Sequence, residues 1–486
     1  MTPRSKKSPK TNSNVKGKMP NRGEDSPAPQ ELTDSDQPAS ALPFPVVGIG
    51  ASAGGLEAFT EFLRALPSDT GMAFVLVSHL SPSHPSHLAE ILSRVSSLPV
   101  TEVGDEAAVE ANRVYVIPPD RNMVISEGRL KLLPRGEIRG AHHPIDQFLQ
   151  SLAEVQGHRS IGVILSGTAN DGTLGLEEVK AQGGITFAQD DTAQYDGMPR
   201  SAILAGSADF VLAPEAIAKE LVRIARHSHV SPDGRGHFDA PADRSALSEI
   251  LRLINSKLTV DFSHYKANTL HRRISRRMAL HRIEALKDYV GYLMAHPQEL
   301  VALFDDFLIN VTSFFRNPEA FEVLKQRVFP RLLAGRTMDN PVRIWVVGCS
   351  TGEEAYSIAI TLIEYMEQAR ITLPVQIFAS DLNAKGIEKA RAGTYPQSIA
   401  DHVSPERLRR FFHGQDGRYQ VNKVIREMCL FARHNALTDP PFSRLDLVSC
   451  RNMLIYLEPV MQKRLLPLLH YGLKPEGVLW LGVSET

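Results

Sequence analysis

Cysteine is scarce in this chain of 486 residues: there are three, Cys349, Cys429 and Cys450, too few and too scattered for a disulfide framework or a cysteine zinc site. Such usage fits a reducing, cytoplasmic compartment, with the thiols acting as small buried hydrophobes. Net charge is also low, at −1, so the bulk electrostatics give no sign of a nucleic-acid partner. Long apolar runs are missing. No stretch approaches the roughly 18 to 20 residues that cross a bilayer, so membrane insertion is not expected. Lysines near the start have no apolar segment behind them, so no signal peptide is expected either.

What is present is enough chain for two or three domains. Residues 1–42 are rich in Ser, Pro, Lys, Asn and Asp and almost free of large apolar side chains, so they cannot offset their ordering entropy and read as a disordered tail. Over 43–226, the apolar strands "FVLVSH", "RVYVIPP", "IGVILSG" and "GITFAQ" alternate with helix-length segments. This predicts an α/β fold with a doubly wound, mainly parallel sheet. Residues 227–243, "HSHVSPDGRGHFDAPAD", read as a linker. An all-helical segment is expected over 244–333 and a second α/β sheet over 334–486.

The stretch "PVVGIGASAGGLEAF" (45–59) is a strand, a glycine-rich turn and a helix start, which suits either a dinucleotide phosphate or a catalytic serine. A dinucleotide domain needs an acidic residue at the end of its second strand to hold the ribose. That strand instead ends in Ser78 and His79. An imidazole at the same sheet edge as Ser52 can serve as a base. Asp171, in "IGVILSGTANDGTLG", is the best candidate to orient it. The bland reading remains open at this point: a small turn residue, a satisfied histidine and a helix cap.

"VVGIGASAGG", "SHLSPSH", "ILSGTANDGTLG" and "GMPRSA" together resemble the catalytic domain of the CheB chemotaxis protein-glutamate methylesterases, over about 43–226. The resemblance implies that Ser52 attacks the methyl ester of a receptor glutamate, that His79 is general base and then acid, and that Asp171 orients His79. Methanol leaves and water frees the acyl-enzyme. Glutamine deamidation is a further activity it allows. The N–H of Ala53 is a natural oxyanion donor at the start of the helix. Two positions depart from the family: Ser78 stands where glutamine is common, and Thr168-Ala169 where stand-alone members often have Met-Gly. The alanine matters only if its position has positive φ. No metal is expected from His84, His87 or the pair His142-His143, which lack cysteine or clustered carboxylate companions.

"LHRRISRRMALHRI" sets Leu270, Ile274 and Met278 on an apolar stripe and Arg273, Arg276 and Arg277 on a basic face. A solvated face, an acidic protein partner or nucleic acid are the readings, the last disfavoured by the absence of interleaved aromatics.

The second unit opens with "RIWVVGCSTGEEAYSIA", and here an acidic strand end is present: Asp381 in "VQIFASDLN", roughly 30 residues on, placed to accept ribose hydroxyls. Glu353 at the helix start suits a cationic amine or sulfonium better than a phosphate, which favours S-adenosylmethionine. "INVTSFFRNP", "FASDLN", "FARHNAL" and "DLVSCRNMLIYL" strengthen this into a resemblance to the CheR chemotaxis receptor methyltransferases, from about Arg244 onward. It implies cofactor contacts from Asn310, Thr312, Arg316, Glu353, Asp381, Asn435, Ala436, Arg451 and Asn452, and it turns Arg273, Arg276 and Arg277 toward acidic receptor helices. An ionised glutamate needs no base to attack a methyl group, only alignment. Arg316 and Tyr456 are the expected orienters. Family members continue beyond "GVLWLGVSET" with more strand and helix, so a shortened sheet with an unpaired edge is expected.

The combined expectation is a bifunctional cytoplasmic enzyme that removes and adds methyl esters on chemoreceptor glutamates. Its partners are receptor cytoplasmic domains, with a chemosensory kinase or response regulator as further candidates. The competing readings are a signalling scaffold that only binds receptor or cofactor, and a dehydrogenase, which the missing ribose carboxylate after "FVLV" argues against.

Overall fold

The computed structural model describes residues 41–80, 86–135, 143–227, 241–309, 312–396, 399–400, 402–415, 418–483 and 485. The expected tail falls, for residues 1–40, outside this set, as do His84, His142, Asn310 and most of the expected linker.

The first unit is built on seven parallel strands: β1 Val46–Ala51, β2 Ala73–Ser78, β3 Val100–Glu102, β4 Arg113–Val116, β5 Ser160–Ile164, β6 Ile185–Gln189 and β7 Phe210–Leu212. Their order is β7-β6-β5-β1-β2-β4-β3, with β1 in the middle. The four apolar runs read in the sequence, and the strand that opens the glycine-rich stretch, are all among them. Helices α1 Gly55–Arg64, α2 Pro144–Gln156, α3 Thr173–Ala181, α4 Gly197–Ala205 and α5 Pro214–Ala225 cover the sheet. On one face Phe59 and Phe62 of α1 pack with Ile217 and Leu221 of α5; on the other Phe148 and Leu152 of α2 pack with Leu176 and Val179 of α3. Each such buried side chain contributes about 1.5–3 kcal/mol. Burial on both faces is why these strands read as apolar runs and not as alternating ones. Gly50 lets α2 press against β1, since a Cβ there would come within 2.3 Å of Ile145. A small antiparallel sheet of Ala107–Ala108, Arg121–Ser126 and Arg129–Pro134 lies after β2 in the chain.

The helical segment comprises α6 Pro241–Leu258, α7 Ala267–Leu280, α8 Leu286–Ala295 and α9 Pro297–Phe307. It begins three residues inside the stretch read as linker, because Pro241 opens a helix as readily as it ends one. Ile250, Ile254, Phe262, Ile274, Tyr289 and Leu303 form its core. The second sheet has five parallel strands, β8 Val342–Val347, β9 Val375–Asp381, β10 Cys429–Arg433, β11 Leu445–Cys450 and β12 Leu473–Leu481, in the order β10-β9-β8-β11-β12. Helix α10 Glu353–Ala369 follows β8.

One expectation is corrected here. The arginines of α7 do not present an open basic face to a receptor: Arg273 is 6 % and Arg276 0 % exposed. Arg276 donates to the Gly184 carbonyl at 2.9 Å and to both oxygens of Asp209 in the first unit, and to Asp306 of α9 at 2.6 Å. Arg273 donates to the carbonyls of Lys180 and Ala181, and Arg277 to Glu299. The spacing fixes an amphipathic helix, but periodicity cannot say whether water or another part of the chain covers the charged side.

Candidate functional site

The first site follows from strand register. β1 and β2 are parallel with Ala51 opposite Ser78, so the next residues, Ser52 and His79, emerge together at the carboxyl edge of the sheet. β5 runs on the other side of β1, and the loop after it carries Asp171. His79 Nδ1 lies 3.2 Å from Ser52 Oγ, and its Nε2 lies 2.8 Å from Asp171 Oδ2. The helix α1 starts three residues after Ser52, so its N-terminal dipole points into this edge.

Asp171 is 1 % exposed and sits on the N-terminus of α2, accepting from the N–H groups of Ile145 at 3.1 Å and Asp146 at 2.9 Å. Burial alone would raise its carboxyl, but hydrogen bonds from His143, His79 and the Asp146 N–H outweigh that and hold it down at about 2. An ionised Asp171 only accepts, so the proton of a neutral His79 belongs on Nε2 and the Nδ1 lone pair faces the Ser52 hydroxyl. The loop is tight: a Cβ at Gly167 would meet Met198 Sδ at 2.2 Å and Ser52 Cβ at 3.1 Å. Ala169, one of the family departures, has φ of 66°, the left-handed region that favours glycine.

His143 was weighed by sequence only as a metal ligand; its Nδ1 is 3.6 Å from Asp171 Oδ1. His143, Asp146 and Asp171 bring donor atoms within 4.8 Å of one another. Both carboxylates are already taken up by N–H donors, Asp146 Oδ1 by Gly175 at 2.7 Å, which marks the cluster as a hydrogen-bonded support for Asp171.

The second site lies at the equivalent edge of the other sheet. Val347 pairs with Ser380, so Gly348 and Asp381 leave their strands side by side. They line a cavity of about 100 Å³ with Asn435, Ala436, Asn452 and Tyr456. Asp381 accepts from the N–H groups of Ser350 and Asn383, both at 2.8 Å, one on each oxygen, which leaves lone pairs for a diol. Burial pushes its carboxyl up, partly offset by those N–H groups. Thr312, Arg316 and Glu353 line a second cavity of about 410 Å³. Burial pushes Glu353 up to about 7, against the opposing pull of Lys389 and the Thr351 hydroxyl. A carboxyl raised to about 7 can give up its proton and become the counter-ion of an incoming cation, so these residues fit the ribose and the cationic end of S-adenosylmethionine.

The side chain of Arg451 is held by neighbours within the unit. Its guanidinium is bound to Glu354, the Arg316 carbonyl and Asn317, and lies over Trp480, which leaves any cofactor contact to its main chain. Sequence reasoning also missed Glu485, whose carboxylate accepts from the N–H groups of Asn452, Met453 and Leu454 and so shapes the loop of the "CRNML" motif.

Fold and sites thus define two α/β units, one with a serine, an imidazole and a carboxylate in line, the other with carboxylates set for a nucleoside cofactor. Residues 47–221 match the CheB methylesterase family, 245–308 the all-alpha domain of CheR methyltransferases, and 310–486 the CheR methyltransferase SAM binding domain. The chain belongs to both families, as a fusion of a CheB-type methylesterase domain with a CheR-type methyltransferase, and the cofactor of the second domain is S-adenosylmethionine. It is 34% identical to chemotaxis protein methyltransferase 1 of Pseudomonas aeruginosa, over 44% of this chain and 80% of that one. It is 32% identical to the solved CheB methylesterase catalytic domain of Thermotoga maritima, over 37% of this chain and 98% of that one, with a TM-score of 0.35. A 104.1 kDa protein of Rhodobacter capsulatus is 39% identical over 82% of this chain, and the chain spans 44% of that relative's length. Among the described residues no helix is long and apolar enough to cross a membrane.

Proposed function

We propose that this chain both hydrolyses glutamate methyl esters on chemoreceptors and methylates receptor glutamates. The observation that carries the first half is the unbroken line from Ser52 through His79 to a buried, ionised Asp171. His79 takes the Ser52 proton at Nδ1 as Oγ adds to the ester carbonyl, and Asp171 stabilises the imidazolium through Nε2–H. The proton then goes to the departing methoxide, and the acyl-serine is hydrolysed by the reverse steps. The same attack on a glutamine amide gives deamidation.

In the second half S-adenosylmethionine supplies an electrophilic methyl group. Asp381 would hold the ribose hydroxyls and Glu353 would face the cationic end, with Asn435, Ala436 and Asn452 lining the same cavity as Asp381. Thr312 and Arg316 line the same cavity as Glu353, where Arg316, with Tyr456 in the adjoining cavity, would orient the acceptor carboxylate without taking a proton. Asn310 completes this set in the family pattern. The receptor's cytoplasmic domain is the substrate of both halves.

The test uses cofactor labelled on its methyl group, a receptor signalling fragment, and the chain as wild type and as Ser52→Ala. Label should build up on receptor with the variant and be lost as methanol with the wild type. Unlabelled receptor in both cases would reduce the second unit to a binding module, the scaffold reading.

A further inference from the structure

The cavity of about 410 Å³ is not walled by the methyltransferase unit alone. Arg316 and Lys389 stand on that side, while Glu154, Glu177 and Glu178 enter from the esterase unit. The last two belong to α3, and α3 is held from behind. Arg273 of α7 donates to the carbonyls of Lys180 and Ala181, at the C-terminal end of α3, where a cation is favoured by the helix dipole. Arg276, with no exposed surface, ties down Gly184 and Asp209 just beyond. The basic helix of one unit thus grips the acidic helix of the other.

We propose that α3 is seated on the acceptor side of the methyltransferase cavity, with the carboxylates of Glu177 and Glu178 standing in for a receptor glutamate without being methylated. The inference rests on the function proposed above and adds an internal occupant to it. The chemistry matches: the group expected in this cavity is a glutamate side chain, and the esterase unit provides glutamates there, Glu154 toward Arg316, Glu177 toward Lys389 and Glu178 toward Tyr456. The space matches too: Leu174, Glu177 and Glu178 of α3 form part of the cavity wall, a place that an acceptor helix about 10–12 Å across could not share with α3. Burial raises the Glu177 carboxyl, which favours its protonated, non-nucleophilic form, and Glu178 accepts from Gln182 Nε2 at 3.0 Å. An adjoining cavity of about 710 Å³ shares Glu177, Lys389 and Tyr395 and is lined by Ala169, Asn170 and Arg200, next to Asp171. The docking contact therefore also lies beside the loop that carries Asp171, and methyl transfer is restrained until it opens.

The experiment uses the full chain in a Ser52→Ala background, with Arg273→Met and with the double variant Glu177→Ala/Glu178→Ala, whose positions are only half-buried. Carbodiimide amidation with glycine ethyl ester, mapped by mass spectrometry without receptor or cofactor, reads whether the two glutamates are covered. Transfer of labelled methyl to a receptor fragment reads whether the cavity is blocked. Amidation of Glu177 and Glu178 should rise at least threefold in Arg273→Met, and transfer should rise at least threefold in both variants. Equal amidation in Arg273→Met and its parent, or transfer unchanged in the double variant, overturns the proposal, as does methyl label on the peptide holding Glu177 and Glu178. If no form methylates receptor but amidation is released as expected, the seat of α3 stands and the methyltransferase reading fails.

Discussion

His143 stands 3.6 Å from Asp171 Oδ1, while His79 is bound to the other oxygen at 2.8 Å, so a single buried carboxylate is held between two imidazoles. Only one of them reaches Ser52. Replacing the carboxylate and replacing its second support should therefore differ in size. Asp171→Asn leaves no charge to stabilise the imidazolium, and ester hydrolysis on methylated receptor should fall by roughly 10³–10⁴. His143→Ala removes a close polar contact at 3.6 Å from that charge, and the fall should be smaller, on the order of 10-fold. Equal rates for Asp171→Asn and wild type would remove the carboxylate from the reaction.

Ala169 has φ of 66° in the loop that ends at Asp171. A left-handed residue with a Cβ costs about 1–2 kcal/mol, part of which glycine loses to its freer unfolded chain. Ala169→Gly should raise unfolding stability by about 0.5–1 kcal/mol in a denaturant titration. A loss of stability would mean that the methyl group makes contacts outweighing the strain.

If Glu353 faces the cofactor as proposed, its carboxyl should make cofactor affinity depend on pH. Its carboxyl is pushed up to about 7 by burial, against the pull of Lys389 and with Glu177 adding to the rise. A cationic ligand favours the charged form, so binding releases a proton and affinity increases as pH rises through 7. From about pH 6 to about pH 8 the gain should be roughly tenfold by calorimetric titration, and Glu353→Gln should flatten it. The sign for the unliganded chain is opposite. Because the folded carboxyl keeps its proton above the ordinary value of 4.5, its contribution to stability is lost as pH climbs from there to about 7. Affinity independent of pH in the wild type would separate Glu353 from the cofactor's cationic end.

Asp209 is buried with Arg276 on one side and Lys180 Nζ at 3.3 Å on the other. Burial opposes its charge, but the two cations outweigh it and hold the carboxyl at about 2. Arg276→Met leaves that charge short of its main partner and should cost about 3–5 kcal/mol. Arg276→Met combined with Asp209→Asn should cost less than the two single changes summed, because they share one interaction. Strict additivity in the double-mutant cycle would show that the pair does not interact. The stabilising share of Asp209 should disappear as pH falls from the ordinary aspartate range toward about 2.

Much of this was legible in the chain because parallel strands covered on both faces read as apolar runs, and their carboxyl ends point straight at Ser52, His79, Asp171 and Asp381. Glu353 was legible as the acidic residue opening α10. Less legible were residues whose partners are remote in sequence. His143 reaches Asp171 only because the start of α2 lies against the loop after β5, and Glu485 closes over residues 452–454 from the far end of β12. The arginines of α7 were misjudged for the same reason. Helical spacing separates an apolar from a charged face, but a guanidinium sealed between carboxylates and carbonyls is spelled like one in water.

Since Arg276 has no exposed surface, dissecting the chain between Arg226 and Pro241 carries a consequence. Each half then inherits a polar scar shaped for the other, one bearing an Arg276 guanidinium left with Asp306, the other Asp209 left with Lys180 and the uncovered carbonyl of Gly184. Halves produced separately should melt earlier than the intact chain, and mixing them should restore part of the difference as a bimolecular complex. Split-gene complementation would thus reveal how strongly two enzymes with opposite aims are bound to share one body.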